Sequence, residues 1–250
     1  MIAVITGATS GIGKAIAFQL AGQGYDLILT GRRKKLLDEI SQTLASEFGI
    51  RVLPLCFDIR KREETEKYLG HLPPEWQDVD VLINNAGLAA GFHPIHEGDI
   101  ADWEQMIDTN IKGLLYATRF IAPLMTARRA GHIVNISSIA GKEVYPNGNV
   151  YCATKHAVEG LTRGMRIDLL PYGIKVTSVS PGAVETEFSL VRFKGDEKRA
   201  KEVYKGYQPL KAEDVAEAVW FALSRPPHVN INDILIMPAA QANAVFFDRK

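Results

Sequence analysis

The sequence predicts an α/β fold: one doubly wound parallel sheet of seven strands with helices on both faces. Three observations predict it. Short β-rich runs alternate with longer segments of helical period from one end of the chain to the other. Several of those runs are continuously apolar, the pattern of strands covered on both sides by helices. A glycine-rich turn follows the first run, the place where such sheets open toward a ligand.

Taken in order, strands are expected at residues 2–6, 26–30, 51–57, 79–84, 131–137, 174–180 and 231–237. Helices are expected to begin near Ile12, Lys34, Lys61, Ala101, Asn149 and Ala212. Residues 183–210 break the alternation. That stretch is long, charged and aromatic, and long loops at this point of such a fold are often lids. Residues from about 238 to 250 form a tail. No Pro/Gly/Ser-rich linker, charge block or internal repeat divides the 250 residues, so a single domain spanning 1–250 is expected.

Composition excludes several classes of function. Lys plus Arg balance Asp plus Glu at 29 each, so no net field points to nucleic acid or an acidic membrane surface as partner. Met1 runs straight into Ile-Ala-Val-Ile-Thr, and no apolar run approaches the roughly 18 residues of a membrane span, so a soluble, cytoplasmic protein is expected. Cys56 and Cys152 make no disulfide framework and no C-x-x-C pair. Cys56, ending an apolar run, reads as a core thiol. His93 and His96 flank Pro94 with no third ligand at useful spacing, so no metal site is expected.

The turn Thr6-Gly7-Ala8-Thr9-Ser10-Gly11-Ile12-Gly13 joins the first strand to the first helix. Gly7 and Gly11 let the backbone bend sharply and approach a pyrophosphate, while the helix N-terminus offers unpaired N–H groups to the anion. The second strand ends in Gly31-Arg32-Arg33-Lys34-Lys35. A carboxylate there would receive the ribose hydroxyls of NAD. Four cations at a helix N-terminus oppose the dipole, so an anion is expected among them, and the 2′-phosphate of NADP fits. A solvated basic face is the plainer alternative. Asp58, just past the third strand, is placed either to reach an adenine edge or to cap a helix.

Tyr151 and Lys155 lie four residues apart, so on a helix they share a face. A cation near a phenol in a dry pocket stabilises the phenolate, and moving its pKa from about 10 to about 7 takes roughly 4 kcal/mol. Tyr151 would then serve as a base at neutral pH. A second such pair, Tyr207 and Lys211, is an internal control. Pro209 lies between its members and argues against a helix there, so a packed tyrosine and a solvated lysine are expected. Ser137 and Ser138 precede the Tyr151 pair, and strand alternation allows only one of them to meet Tyr151.

With these motifs together the chain resembles the short-chain dehydrogenase/reductase family, a Rossmann-fold family, over essentially its whole length. The residues that carry the resemblance are the Thr6–Gly13 turn, Asn84-Asn85-Ala86-Gly87, Asn110 within Asp-Thr-Asn-Ile-Lys-Gly, Ser138, Tyr151-x-x-x-Lys155 and Pro181-Gly182-x-x-x-Thr186. Within the family it is similar to NADP-dependent 3-hydroxy acid dehydrogenases of the serine and L-allo-threonine group. That likeness rests on Gly31-Arg32-Arg33, the stretch from Asp102 to Asn110, the stretch from Glu187 to Asp196, and His228-Val229-Asn230-Ile231-Asn232 with Met237-Pro238.

The resemblance implies that Tyr151 takes the substrate hydroxyl proton, Ser138 holds the substrate oxygen, Lys155 binds the nicotinamide ribose and lowers the tyrosine pKa, and Asn110 supports a water relay to Lys155. Ser137 in place of Ser138, and Asn110 merely bridging backbone, are the plainer alternatives. It also implies NADP contacts at Gly7, Thr9, Ser10, Gly11, Ile12 and Gly13, at Arg32 and Arg33, at Asp58 and Ile59, at Asn85, Ala86 and Gly87, at Tyr151 and Lys155, and at Pro181, Gly182, Val184 and Thr186. A homotetramer and a small 3-hydroxy acid substrate are implied as well. Such a substrate needs a cation for its carboxylate, and Arg192 is the first candidate because a guanidinium binds a carboxylate through two parallel bonds, with Lys194 second. The ending from Met237 to Lys250 departs from the short glycine-bearing end of 3-oxoacyl carrier-protein reductases. A reductase of 3-oxoacyl, steroid or other carbonyl substrates, and a non-catalytic NADP-sensing module, are the rival readings.

Overall fold

The structure, a computed structural model, describes residues 1–250. Its seven strands are β1 (Ile2–Ile5), β2 (Asp26–Gly31), β3 (Val52–Cys56), β4 (Val79–Asn84), β5 (Gly131–Ile136), β6 (Ile174–Pro181) and β7 (Asp233–Ile236). They form one sheet in the order β3-β2-β1-β4-β5-β6-β7, parallel at every pairing. The order reverses direction between β1 and β4, and the crevice of a doubly wound sheet opens at that switch point.

Strand side chains alternate between two cores with a period of two. Ala3, Ile5, Leu27, Leu29, Val81 and Ile83 point into one, where Ile16 and Leu20 of α1 (Gly11–Ala21), Leu37 and Leu44 of α2 (Lys34–Phe48) and Val215 and Val219 of α9 (Ala212–Leu223) meet them. Ile2, Val4, Ile28 and Leu82 point into the other, against Leu69 of α3 (Arg62–Leu69) and Ile121 and Met125 of α5 (Leu114–Arg128). Burying each such Leu or Ile contributes about 1.5–3 kcal/mol. Pro54, which lacks a donor, is accommodated because β3 is an edge strand.

The helical stretch expected from near Ala101 is not one regular helix. It runs as α4 (Ile100–Ile107), a π-helical turn at Asp108–Gly113, and then α5. Such turns carry one extra residue and recur at functional sites. Here the turn carries Asn110. Past the sheet, α6 (Asn149–Leu169) presents Tyr151 and Lys155, and the 183–210 stretch holds two short helices, α7 (Phe188–Arg192) and α8 (Glu197–Glu202). No helix is long and apolar enough to cross a membrane, and no group of three or more His, Cys, Asp or Glu residues is gathered as metal ligands would be.

Candidate active site

A cavity of about 650 Å³ lies along the C-terminal edge of the strands, at the switch point. One end is formed by the turn after β1. Gly7 and Gly11 hold φ of +70° and +52°, and a Cβ on Gly13 would come within 2.4 Å of the Gly7 carbonyl oxygen, so the turn closes only with glycine there. Asn85 fixes the same turn by donating from Nδ2 to the carbonyls of Thr6 and Gly7 at 2.9 and 3.1 Å. Ser10 gives α1 no side-chain cap, and the first turn carries no acid, so its N–H groups face the cavity available to an anion.

The four cations after β2 divide. Lys34 and Lys35 pair along their own helix with Asp38 and Glu39 and make the solvated face. Arg32 and Arg33 line the cavity. Arg33 is committed: Nε and a terminal nitrogen donate to Thr9 Oγ1 at 3.2 and 3.1 Å, and the other terminal nitrogen to Glu187 Oε2 at 2.9 Å. Arg32 has only a loose pair with Asp58 at 3.9 Å, so it is the freer of the two to meet a phosphate. Asp58 is neither cap nor free acceptor. Its carboxylate takes the guanidinium of Arg60, and burial, which would raise its pKa, is outweighed by those bonds. Ile59, Asn85, Ala86, Gly87, Pro181, Gly182, Val184 and Thr186 also line the cavity, whereas Gly13 and Asn110 stand behind its wall.

At the other end Tyr151, Ser138 and Lys155 come together. Ser138 lies against the Tyr151 phenol, and its hydroxyl also accepts from the Ala140 N–H at 3.1 Å. Ser137 turns to the opposite side, beside Glu159, as strand alternation requires. Lys155 Nζ donates to the Ile136 carbonyl at 2.9 Å and lies 5.9 Å from the centre of the Tyr151 ring. Asn110 is occupied with backbone. Its Oδ1 accepts from Leu88 N at 2.8 Å and its Nδ2 donates to Leu88 O and Thr154 Oγ1, which fixes the loop carrying Gly87 in front of Lys155.

One expectation is corrected. Burial pushes the Tyr151 phenol well above its ordinary value, the nearby Tyr145 hydroxyl adds to this, and Ser138 and Arg192 only partly oppose it. Lys155 is not the dominant influence, because at this range its hydrogen bond goes to a carbonyl and burial brings its own pKa down to about 8. In the chain by itself Tyr151 is a proton-bearing phenol at neutral pH.

Arg192, at the end of α7, lies in a cage of rings, 4.6 Å from the centre of Phe92, 5.3 Å from Tyr145 and 5.7 Å from Tyr151. Its Nε and one terminal nitrogen are buried with no hydrogen-bond partner. Lys194 is elsewhere, paired with Asp102 at 2.9 Å and about 57% exposed. Phe188, Tyr204 and Gln241, which have no assigned role from sequence, complete the wall together with Phe247 of the tail, whose aromatic residues were expected to pack on the body of the protein. Gln241 accepts from Ala183 N at 2.8 Å, and the Phe247 ring packs at a tilt against Tyr207 with centres 5.0 Å apart, so the tail packs onto the 183–210 stretch, while Val245 and Phe246 stay exposed. Tyr207 and Lys211 share no helix, as the control required. Cys56 is only half-buried, its thiol donating to the Arg32 carbonyl at the sheet edge.

A glycine turn under a parallel sheet, a basic rim and a buried phenol–lysine pair in one cleft define a dinucleotide-dependent oxidoreductase. The family profile described as short chain dehydrogenase matches residues 1–196. The NADP-dependent 3-hydroxy acid dehydrogenase YdfG of Salmonella typhi is 46% identical over 98% of this chain and 97% of its own length. Sulfoacetaldehyde reductase 2 of Chromohalobacter salexigens is 43% identical over 98% and 97%. Among solved structures, the closed form of serine dehydrogenase complexed with NADP+ superposes with a TM-score of 0.92 at 45% identity, covering all of both chains. The chain belongs to the short-chain dehydrogenase family. It is an NADP-dependent enzyme acting on CH–OH groups.

The residues present fit that cofactor: a Cβ on Gly7 or Gly31 would enter the cradle, meeting Ala86 at 3.0 Å or Thr9 at 2.6 Å, and Arg32 waits at the rim. Replacing Arg32 with Asp is expected to weaken NADP binding by about 2–3 kcal/mol through lost charge-assisted bonds and new repulsion. Titration of NADPH fluorescence measures it, and an unchanged Kd would remove Arg32 from the phosphate.

Proposed function

We propose that the enzyme transfers hydride between NADP and the C3 position of a small 3-hydroxy acid, with Arg192 holding the acid. The observation that carries this reading is the half-buried guanidinium beside Tyr151, with two of its nitrogens buried and unused as donors. Buried donors left without partners cost about 1–3 kcal/mol or more, and a bound carboxylate would satisfy both at once. In a 3-hydroxy acid the carboxylate carbon is two bonds from the reacting carbon, the reach from a phenol to a guanidinium packed on its ring. The wall about Arg192 is Phe92, Tyr145, Phe188 and Phe193, which suits a short chain and gives a steroid or long acyl group nothing for its cost of covering the cation.

The proton step belongs to this chain's residues. Ser138 holds the substrate oxygen, and Tyr151 donates its phenolic proton to that oxygen in reduction or takes the hydroxyl proton in oxidation. Lys155 holds the nicotinamide ribose and lowers the cost of the phenolate. NADP, when bound, accepts or returns the hydride. The 183–210 stretch acts as the lid, brought to the opposite wall by the Glu187–Arg33 pair.

The cavity has no carboxylate beside Arg192. Its two acids, Asp58 and Glu187, are at the basic rim and paired with arginines. An ammonium on C2 therefore finds no counter-charge, and 3-hydroxypropionate is expected to exceed serine in kcat/KM by about tenfold, a preference of about 1.4 kcal/mol. Arg192→Ala should raise KM for either acid about tenfold or more and leave NADP affinity unchanged, as a lost charge-assisted contact of roughly 1.5–3 kcal/mol requires. An unaltered KM would dismiss Arg192, and uncharged alcohols turning over as well as acids would dismiss the substrate class.

A sulfonate is the second reading. In sulfoacetaldehyde, which appears in the name of a 43% identical relative, the sulfur is likewise two bonds from the carbonyl carbon. Comparing 2-hydroxyethanesulfonate with 3-hydroxypropionate as substrates separates the two. For assembly we propose a homotetramer, for which Ile167, Leu170, Phe221 and Leu235 are exposed apolar side chains to cover. The mass in solution decides it.

A further inference from the structure

Only three charged side chains of this protein are buried as a whole: Asp102, Lys155 and Glu159. Asp102 is neutralised at the surface by Lys194 at 2.9 Å. Lys155 has no carboxylate in contact, its ammonium resting on the Ile136 carbonyl. Glu159 follows it by one turn of α6. Its carboxylate accepts from Lys142 Nζ at 2.7 Å, Ser178 Oγ at 2.7 Å and Ser180 Oγ at 3.0 Å. Lys142 is shared, because it also pairs with Asp233 on β7.

Lys142 is the one cation in contact with both carboxylates, the Arg166 guanidinium lies within electrostatic reach of both while donating to the Val176 and Asn232 carbonyls, and Glu159 is the inner end of the cluster. A buried cation and a buried anion on the same helix face neutralise each other across the interior, where charge is screened far less than in water. We propose that Glu159 is a positioning residue for the hydride-transfer reaction: the Lys142–Asp233 pair anchors it behind the cleft, and it keeps the Lys155 ammonium protonated and in place. The inference rests on the assignment of Lys155 to the cofactor ribose.

The other groups around Lys155 do not supply this charge. Tyr151 on the same helix is a neutral phenol, Asn110, Gly87, Ser137 and Ser138 are uncharged, and Arg192 across the Tyr151 ring is itself a cation. Lys142 and Arg166 are cations beyond Glu159, one in contact with its carboxylate and the other held on the Val176 and Asn232 carbonyls. The directions of the shifts agree. Burial lowers the lysine pKa to about 8 and Glu159 is the one influence that raises it, while the Glu159 carboxyl, though burial works to raise it, is held below its ordinary range by Lys142 and its serine donors.

The test is the Kd of NADPH between pH 7 and 9.5, read by fluorescence without substrate. In the native enzyme, affinity should weaken as pH rises through the lysine's range. In Glu159→Gln the midpoint should fall by about one pH unit, so that Kd near pH 8 rises several-fold to tenfold while the value at pH 7 changes least. Glu159→Asp should restore the native midpoint. Asp233→Asn, a change at the outer, half-exposed end of the cluster, should move the midpoint the same way by a smaller amount, and it serves if Glu159→Gln does not fold. Unmoved midpoints in a native background that does titrate overturn the proposal and spare Lys155. A native profile flat with pH removes Lys155 from the cofactor and the proposal with it.

Discussion

Tyr151→Phe is expected to lose turnover by a factor of about 10²–10⁴, the range of general acid–base catalysis, while binding NADPH within twofold or so of the native enzyme. The phenol has one task, proton exchange with the substrate oxygen beside Ser138, and its ring would still pack on Phe188 in the variant. Lys155→Ala should impair both turnover and cofactor affinity, because its ammonium serves the ribose as well as the tyrosine. Burial holds the phenol in its protonated form, so reduction should proceed near neutral pH whereas oxidation, which needs the phenolate, should accelerate as pH rises. Steady-state rates in both directions, with NADPH titration alongside, check all of this. Substantial residual activity in Tyr151→Phe would move the proton donor to Tyr145.

The second large effect concerns acid stability and His132 on β5. Its Nε2 lies 2.7 Å from Thr177 Oγ1, and that hydroxyl gives its own hydrogen to the Ile231 carbonyl at 2.6 Å. The proton between them must therefore sit on Nε2, which leaves Nδ1 bare, buried and without a partner. Protonating Nδ1 would place a cation in the sheet interior with nothing to receive it. Burial, with Lys175 adding to it, lowers the pKa from 6.5 to about 3. The folded state thus resists a proton that the unfolded chain accepts below 6.5, so this residue's share of stability is present above pH 6.5 and is lost as pH falls toward 3. The loss is about 2 kcal/mol by pH 5 and about 4–5 kcal/mol by pH 3. Urea unfolding at pH 7 and pH 5 should show it. In His132→Gln the fall between those two pH values should shrink by about 2 kcal/mol, and an equal fall in both proteins would acquit the histidine.

Periodicity made the strands and their parallel, doubly covered arrangement legible, because each carries its own apolar run, whereas right-handed connections fix the hand of each crossover and leave the order of the strands to the structure. The glycine turn and the Tyr151–Lys155 spacing were legible for a similar reason, being local patterns with local geometry. What stayed hidden depends on distant residues meeting. Nothing near Glu187 in sequence says that it will reach Arg33, and Gln241 is an unremarked glutamine until the tail folds back onto Ala183. The π-helical turn is invisible because one extra residue hardly disturbs a helical period of apolar side chains. The direction of the Tyr151 shift was misjudged because burial is a property of the whole cleft, whereas the lysine four residues away is visible in the string.

The strand order also bears on how the chain is made. Counting outward from β1, the sheet extends one way through β2 and β3 and the other way through β4, β5, β6 and β7, in the order of synthesis on each side. No strand has to be inserted between two already paired. A chain leaving the ribosome N-terminus first can lay down β1 to β3, close the centre when β4 arrives to pair Ile5 with Ile83, and then add each later strand to a waiting edge. That closure spans nearly eighty residues, so it is the slow event on topological grounds, and the unpaired side of β1 is the edge a chaperone would need to guard until it happens.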